Sequence, residues 1–120
     1  MADPIDRRRS PRIPCDLSVE YKLRGGRIRE GRMTNLGTSG MLLTMQGTAP
    51  PVGADLLFRF RLPRSTRPVQ AVGSVRWISL GRAGVQFVRL SPQEQHEIQT
   101  YCASELARQR QTDTSEHPLD

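Results

Sequence analysis

The sequence has few aromatic residues and lacks any long apolar run. Aromatic side chains make up 5% of the 120 residues, whereas charged ones make up 25%. A helix that crosses a membrane needs about 20 consecutive, mostly apolar residues, and the sequence contains no such run. The charged N-terminus is not followed by an apolar stretch, so it is unlike a signal peptide. We therefore expect a soluble, cytoplasmic protein with no membrane-inserted segment.

Cysteine and histidine are also scarce, which limits the metal and disulfide chemistry. Cys15 and Cys102 lie far apart, and each falls on the apolar side of a predicted element. We interpret them as small buried side chains and not as a disulfide or metal pair. His96 and His117 have no partners at metal-ligand spacing, so neither a metal nor a cofactor is expected.

Groupings of catalytic residues are missing as well. The sequence shows no histidine paired with a nucleophile, no clustered carboxylates and no phosphate-cradling glycine loop at the start of a helix. Active sites are commonly assembled from such groupings. The sequence therefore predicts a protein that is not an enzyme.

Arginine supplies nearly all of the positive charge. Lys22 is the single lysine, and residues 7–89 carry 16 basic and 4 acidic side chains. The guanidinium group is a planar fork of donors that suits phosphate oxygens and guanine edges. The central part of the chain is therefore expected to bind an anion. For the scattered arginines, the coding bias of a GC-rich genome is an equally good explanation.

Alternating apolar residues predict a sheet of six strands. The alternation over Ile13–Leu23 has no fault and is typical of a strand with one face on a core. Further strands are predicted over about residues 27–35, 41–45, 56–62, 69–77 and 85–88. The loops between them are too short for crossover helices, which favours an antiparallel sheet closed into a barrel or a sandwich.

A helix is predicted after the last strand. Ser91 and Glu94 form a capping box, and Pro92 fits the first helical position. An apolar stripe then continues through Ile98 and Cys102, and the pattern ends near Arg110. We interpret residues 7–110 as one domain, residues 1–6 as a disordered lead and residues 111–120 as a disordered tail.

Two short motifs lie at the two ends of the first predicted hairpin. Arg8-Arg9-Ser10-Pro11-Arg12 has the spacing R-x-x-x-R, and its proline keeps this arm from simply extending a helix. Asn35-Leu36-Gly37-Thr38-Ser39-Gly40 has the spacing N-x-x-x-x-G. Taken singly, an arginine run is more often a solvated tail, and an Asn–Gly turn is more often only a turn.

Together the two motifs resemble the PilZ domain family. That family is marked by R-x-x-x-R before the first strand and by [DN]-x-S-x-x-G after the second. The similarity continues through Gly73-Ser74-Val75-Arg76-Trp77 and Gly84-Val85-Gln86-Phe87 and covers roughly residues 7–107. The resemblance implies an all-β fold, a six-stranded antiparallel barrel with a C-terminal helix. It also implies binding of cyclic di-GMP, a bacterial second messenger.

The resemblance places the ligand site at the two motifs. Arg8 and Arg12 match the motif arginines, and arginine can pair with phosphate oxygens or with guanine O6 and N7. Asn35 matches the Asn/Asp position and offers an amide to the ligand or to the arm. Gly40 matches the motif glycine, which allows the turn or the close approach of a ligand.

Four further residues are secondary candidates for this site: Arg7, Arg9, Gly37 and Trp77. Gly37 stands where the family has serine, and one lost hydrogen bond costs about 0.5–1.5 kcal/mol. Trp77 is a candidate surface for stacking on a guanine, with a place in the core or at the barrel rim as the alternative. For Arg7 and Arg9 the alternative is simple solvation.

The sequence therefore predicts a cyclic di-GMP receptor that acts as an adaptor for a partner protein. One alternative is a degenerate family member that binds proteins without the ligand, and Gly37 supports it. Another is nucleic-acid binding by the basic barrel, supported by the net charge of +12 over residues 7–89. Few aromatic side chains are available for base stacking, which weighs against that second alternative.

Overall fold

The structure is a computed structural model that describes residues 12–116, with the backbone alone described for residues 110–116. The described residues form six strands and one helix. They are β1 (Ile13–Leu23), β2 (Arg29–Leu36), β3 (Gly40–Thr44), β4 (Asp55–Phe60), β5 (Val69–Ser79), β6 (Arg82–Arg89) and α1 (Pro92–Glu116).

The six strands form a closed antiparallel barrel in the order β1-β2-β3-β6-β5-β4. Pairing of β1 with β4 closes it, as Val19 lies opposite Phe60 and Tyr21 lies opposite Phe58. The prediction of a six-stranded antiparallel barrel with a C-terminal helix is confirmed, and the sandwich is excluded. Closure gives every strand a neighbouring strand on both sides, so the sheet has no edge strand.

The alternation seen in the sequence of β1 sets its orientation. Ile13, Val19 and Tyr21 are buried, Cys15 and Leu17 are partly buried against the core, and the residues that alternate with them are exposed. The Tyr21 and Phe58 rings pack inside the barrel with centroids 6.4 Å apart. The interior is filled by the following buried side chains: Ile13, Val19, Tyr21, Met33, Leu36, Met41, Leu43, Leu56, Phe58, Phe60, Val69, Val75, Val85 and Ile98.

The predicted capping box starts α1. The Ser91 hydroxyl accepts a hydrogen bond from the Glu94 N–H at 3.1 Å and donates to Glu94 Oε1 at 3.0 Å. Glu94 Oε2 also accepts from the Gln70 N–H at 2.8 Å, which ties the helix to β5. No helix in the described part of the chain is long and apolar enough to cross a membrane.

The helix ends later than the sequence pattern indicated. It continues to Glu116, so residues 111–116 of the predicted tail are helical. The reason is local, because no glycine or proline follows Arg110 until Pro118. The predicted lead, residues 1–6, lies outside the described residues, as do residues 117–120.

Both cysteines lie where α1 packs against the barrel, and both are free thiols. Cys102 is buried as predicted, and Cys15 is half-buried. The Cys15 thiol donates to the Met33 carbonyl at 3.4 Å, and the Cys102 thiol donates to the Leu36 carbonyl at 3.4 Å. Burial raises the pKa of each thiol to about 11, so both stay protonated at neutral pH.

Candidate functional site

A β-bulge in β2 turns Asn35 to the outside of the barrel. Met33 pairs with Leu43, and both are fully buried. The next pair is Asn35 with Leu42, so Thr34 is an additional residue on β2. One additional residue reverses the in–out alternation beyond it. Asn35, which alternation alone would place inside with Met33, therefore shares the outer face with Leu42.

A second bulge does the same for Trp77 in β5. Val75 pairs with Val85 in the core, whereas Trp77 pairs with Gly84, which leaves Arg76 as the additional residue. Trp77 is 44% exposed. Alternation along the strand alone would place Trp77 on the same face as Val75, but the bulge puts it on the opposite face. The core is therefore excluded for Trp77, and a place at the barrel rim stays the alternative to a stacking role. The missing side chain at Gly84 makes room for the indole, because a Cβ atom there would overlap the indole ring.

Asn35 and Trp77 lie in one row across the outer face of the barrel. The row runs from Asn35 on β2 through Leu42 on β3 and Gly84 on β6 to Trp77 on β5. Strands in a sheet are about 4.8 Å apart, so the row spans about 14 Å from end to end. The two bulges thus bring a polar amide and an exposed indole to one surface.

The next row contains Gly40, which Arg12 covers. Gly40 pairs with Gln86 on β6, and a Cβ atom on Gly40 would overlap the Val85 carbonyl oxygen. The same Cβ position lies 3.1 Å from Nη2 of Arg12. Gly40 is therefore required by the close approach of β6 and leaves room for the guanidinium. We name the surface formed by Arg12, Asn35, Gly40 and Trp77 the ligand face.

The Arg12 guanidinium lies against the barrel, and no carboxylate of the described residues forms an ion pair with it. The residue as a whole is exposed, but its guanidinium is partly buried, and this desolvation lowers the pKa of Arg12 from its ordinary value. It forms no ion pair with any residue of the described range 12–116. A partly desolvated guanidinium is well suited to bind a phosphate or another anion.

Asn35 contributes a hydrogen-bond acceptor, its side-chain oxygen. Its Oδ1 atom is buried and has no hydrogen-bond partner among the described residues. An unsatisfied buried acceptor costs about 1–3 kcal/mol, and a donor at this position would recover that free energy. A guanine N–H or an arginine of the arm has the required chemistry.

Backbone hydrogen bonds fix the turn between β2 and β3. The Gly37 N–H donates to the Gly40 carbonyl at 2.9 Å, and the Phe87 N–H donates to the Ser39 carbonyl at 2.9 Å. Gly37 is buried, and it is not among the glycines with positive φ. The turn is thus held in place by β6, the strand that also carries Gly84.

The structure brings together four of the predicted site residues, namely Arg12, Asn35, Gly40 and Trp77. Arg7, Arg8 and Arg9 lie outside the described residues. Sequence reasoning missed Gly84, whose lack of a side chain makes room for Trp77, and Gln86, whose exposed amide lies opposite Gly40. The alternation of apolar and polar residues within β6 could have placed Gln86 on the outer face.

Comparison with known proteins agrees with this architecture. The sequence matches the model of the PilZ domain over residues 6–104, a range that contains both motifs. A search of curated proteins found no match.

Three solved structures illustrate the similarity. The PilZ domain of YcgR from Escherichia coli, with c-di-GMP, has a TM-score of 0.71 and 18% identity over 90% of this chain and 98% of that chain. MotI, an inhibitor of motility from Bacillus subtilis, has a TM-score of 0.78 and 18% identity over 87% of this chain and 53% of that chain, so the chain spans about half the length of MotI. The PilZ domain of CeSA, from a cellulose-synthesizing bacterium, has a TM-score of 0.60 and 20% identity over 72% of this chain and 89% of that chain. At such identities the likeness establishes the fold.

Proposed function

Because the chain belongs to the PilZ domain family, we propose that it is a cytoplasmic, non-enzymatic receptor for cyclic di-GMP that passes the signal to a partner protein. The observation that carries this proposal is the ligand face. It combines, on one side of the barrel, an exposed indole with a guanidinium and a buried acceptor that have no ion-pair or hydrogen-bond partner among residues 12–116. Cyclic di-GMP presents two phosphates and two guanines, which are the groups that such a surface can bind.

Arginine provides the strongest contacts in this proposal. Arg12 already lies against Gly40, 3.1 Å from the position a Cβ atom would occupy there. From there it can donate two parallel hydrogen bonds to a phosphate or to O6 and N7 of a guanine. Arg8, the other motif arginine, is proposed to contact the ligand from the arm, with Arg7 and Arg9 as weaker candidates.

Asn35 and Trp77 are proposed to bind the bases. A guanine N–H that donates to Asn35 Oδ1 would satisfy a buried acceptor that has no partner in the described part of the chain. The exposed face of the Trp77 indole can stack on a guanine, and base–aromatic stacking contributes about 1–3 kcal/mol. The indole is supported by Gly84 and need not move to receive a base.

Gly37 favours a second candidate function. It occupies the motif serine position, so the site lacks a hydroxyl that the family pattern supplies. A degenerate member of the family would bind its partner protein without cyclic di-GMP. In that case calorimetry shows no heat of binding with the ligand, although the barrel is folded.

Titration calorimetry with cyclic di-GMP tests the proposal. We expect binding by the wild-type chain and at least tenfold weaker binding by Arg12→Ala or Arg8→Ala, since a hydrogen bond to a charged group contributes about 1.5–3 kcal/mol. Arg61→Ala removes the same charge from an exposed position outside the ligand face and serves as the matched control. Unchanged affinity in both motif variants would show that the site is elsewhere.

A further inference from the structure

A groove of about 590 Å³ lies on the outer face of β1, β4 and β5 and shares no residue with the ligand face. One row of paired residues crosses its floor, from Lys22 on β1 through Leu57 on β4 and Val72 on β5 to Arg89 on β6. Two apolar side chains therefore lie between two cations. Ile28 lines the groove beside β1, and Leu90 lines it beside α1. We name this surface the lateral groove.

The apolar part of the lateral groove is open to solvent. Leu57 is 41% exposed and Ile28 is 64% exposed. Leu57 lies on the outer face of β4, because the opposite face of that strand is buried in the barrel. Exposed apolar side chains that are grouped and surrounded by polar residues are typical of binding surfaces. A partner that places an apolar side chain on Leu57 and Val72 would remove this area from water.

The charges around the floor favour an acidic partner. The groove is lined by three cations, Lys22, Arg59 and Arg89, and none of them forms an ion pair with a described residue. Of the two lining carboxylates, Glu94 is engaged by the Gln70 N–H and by the helix cap. Glu20 lies opposite Arg59 and forms no ion pair with a described residue, so the three cations outnumber the two lining carboxylates.

The spacing of the row distinguishes an extended segment from a helix. Lys22 and Arg89 are three strand spacings apart, which is about 14 Å. An extended segment rises about 3.4 Å per residue, so two acidic residues four positions apart span about 14 Å with one residue midway between them. The same two positions on an α-helix are only about 6 Å apart.

We infer that the lateral groove binds an extended acidic segment of a partner protein with the pattern acidic-x-apolar-x-acidic. The apolar residue contacts Leu57 and Val72, and the two carboxylates pair with Lys22 and Arg89. Arg59, in the adjacent row, contacts the segment on one side. Leu57 and Val72 are each paired with a strand on both sides, so no strand edge is available in the floor and the side chains carry the recognition. This inference relies on the proposed function only for the existence of a protein partner.

A peptide-display experiment tests the inference directly. A library of random linear nine-residue peptides is selected on the full chain, and enriched sequences are synthesised and titrated by fluorescence anisotropy. We expect enrichment of a large apolar residue with Asp or Glu two positions before and two positions after it. Leu57→Asp should weaken binding of the enriched peptide at least tenfold, whereas Leu80→Asp should leave it unchanged. Leu80 is 93% exposed, lies outside the groove and provides the matched apolar-to-acidic control.

A charge-reversal variant keeps the test decisive if Leu57→Asp does not fold. In Lys22→Glu/Arg89→Glu, both cations at the ends of the row become acidic while the apolar floor is unchanged. The same selection should now enrich Lys or Arg at the two flanking positions. Enrichment without acidic residues on the wild-type chain, or no change of sequence preference in the charge-reversal variant, would overturn the inference.

Two further measurements separate this inference from its alternatives. Sedimentation of the wild-type chain reports whether a second copy fills the groove, and a dimer that Leu57→Asp converts to a monomer would contradict an acidic partner segment. Calorimetry with cyclic di-GMP on Leu57→Asp should give the wild-type affinity. The receptor proposal and the groove inference can therefore fail independently of each other.

Discussion

Two glycines define the shape of the ligand face by the space they leave. A Cβ atom on Gly84 would overlap the Trp77 indole, and one on Gly40 would overlap the Val85 carbonyl oxygen. Neither glycine has a positive φ, so backbone strain does not explain them. Their role is close approach, of an indole in one case and of a neighbouring strand in the other. Gly40→Ala should therefore affect the barrel itself, which makes it an unsuitable variant for testing ligand contacts.

Gly37, in the turn that is hydrogen-bonded to Gly40, is a better position at which to test ligand contacts. Its φ lies outside the left-handed region, so an L-residue is compatible with the backbone. Gly37→Ser restores the hydroxyl of the family motif, and one more hydrogen bond should tighten cyclic di-GMP binding by up to roughly tenfold. Titration calorimetry of the folded variant measures the change.

Gly37→Ala is the control that separates the hydroxyl from the added volume. The alanine variant fills the same space but offers no hydrogen bond, so its affinity should not exceed that of the wild type. If serine and alanine have equal effects, the hydroxyl makes no contact with the ligand. A folded Gly37→Ser chain with weaker binding would show that the turn has no room for the family's side chain.

Strand β1 and the start of α1 could be predicted because their signals are local. The alternation over Ile13–Leu23 is unbroken, and the capping box needs only Ser91 and Glu94. The bulges in β2 and β5 could not be predicted, because an additional residue is recognised only from the pairing of two strands. Alternation alone would therefore place Trp77 on the face of Val75, which it does not share.

The motif positions could also be predicted from a local signal, whereas the lateral groove could not. Asn35 and Gly40 could be identified from their spacing in one continuous segment. The row through Leu57 and Val72 depends on the register of four strands, which alternation in any single strand does not determine. Ile28 was predicted to be an apolar residue of the second strand, but it precedes β2 and is 64% exposed.

The hairpin between β5 and β6 carries an unfavourable residue at its turn. Leu80 has a φ of 51°, followed by Gly81 with a φ of 78°, and Leu80 is 93% exposed. Asparagine tolerates the left-handed conformation better than leucine does. Leu80→Asn should therefore raise the free energy of unfolding by about 0.5–1 kcal/mol, measured by urea denaturation.

The neighbouring strand residue provides the control for this hairpin. Ser79 ends β5, is exposed and is not among the residues with positive φ. Ser79→Asn introduces the same side chain without relieving the turn, so it should not stabilise the protein. Equal urea midpoints for the wild type and Leu80→Asn would show that the turn costs nothing in the folded state.

The barrel part of the chain is basic, whereas the part that contains the helix is acidic. Residues 7–89, which include the whole barrel, carry 16 basic and 4 acidic side chains, whereas residues 90–120 carry 2 basic and 6 acidic ones. A basic barrel attracts any polyanion, so weak binding to nucleic acid would not by itself identify the biological ligand. The two kinds of ligand differ in how strongly salt should affect them.

Salt dependence distinguishes a receptor for cyclic di-GMP from a nucleic-acid-binding protein. Binding to duplex DNA through several phosphate contacts should weaken steeply with salt, with a logarithmic slope of about −0.9 for each phosphate neutralised. Cyclic di-GMP has only two phosphates, and the contacts that we propose for it with Asn35 and Trp77 do not depend on charge. Between 50 and 300 mM NaCl we therefore expect DNA binding to disappear and cyclic di-GMP binding to weaken by roughly tenfold at most. The measurement is a pair of titrations at each salt concentration, with Arg12→Ala as a control that should weaken ligand binding at least tenfold and leave DNA binding nearly unchanged. DNA binding that persists at 300 mM NaCl, together with no detectable binding of cyclic di-GMP, would favour the nucleic-acid alternative.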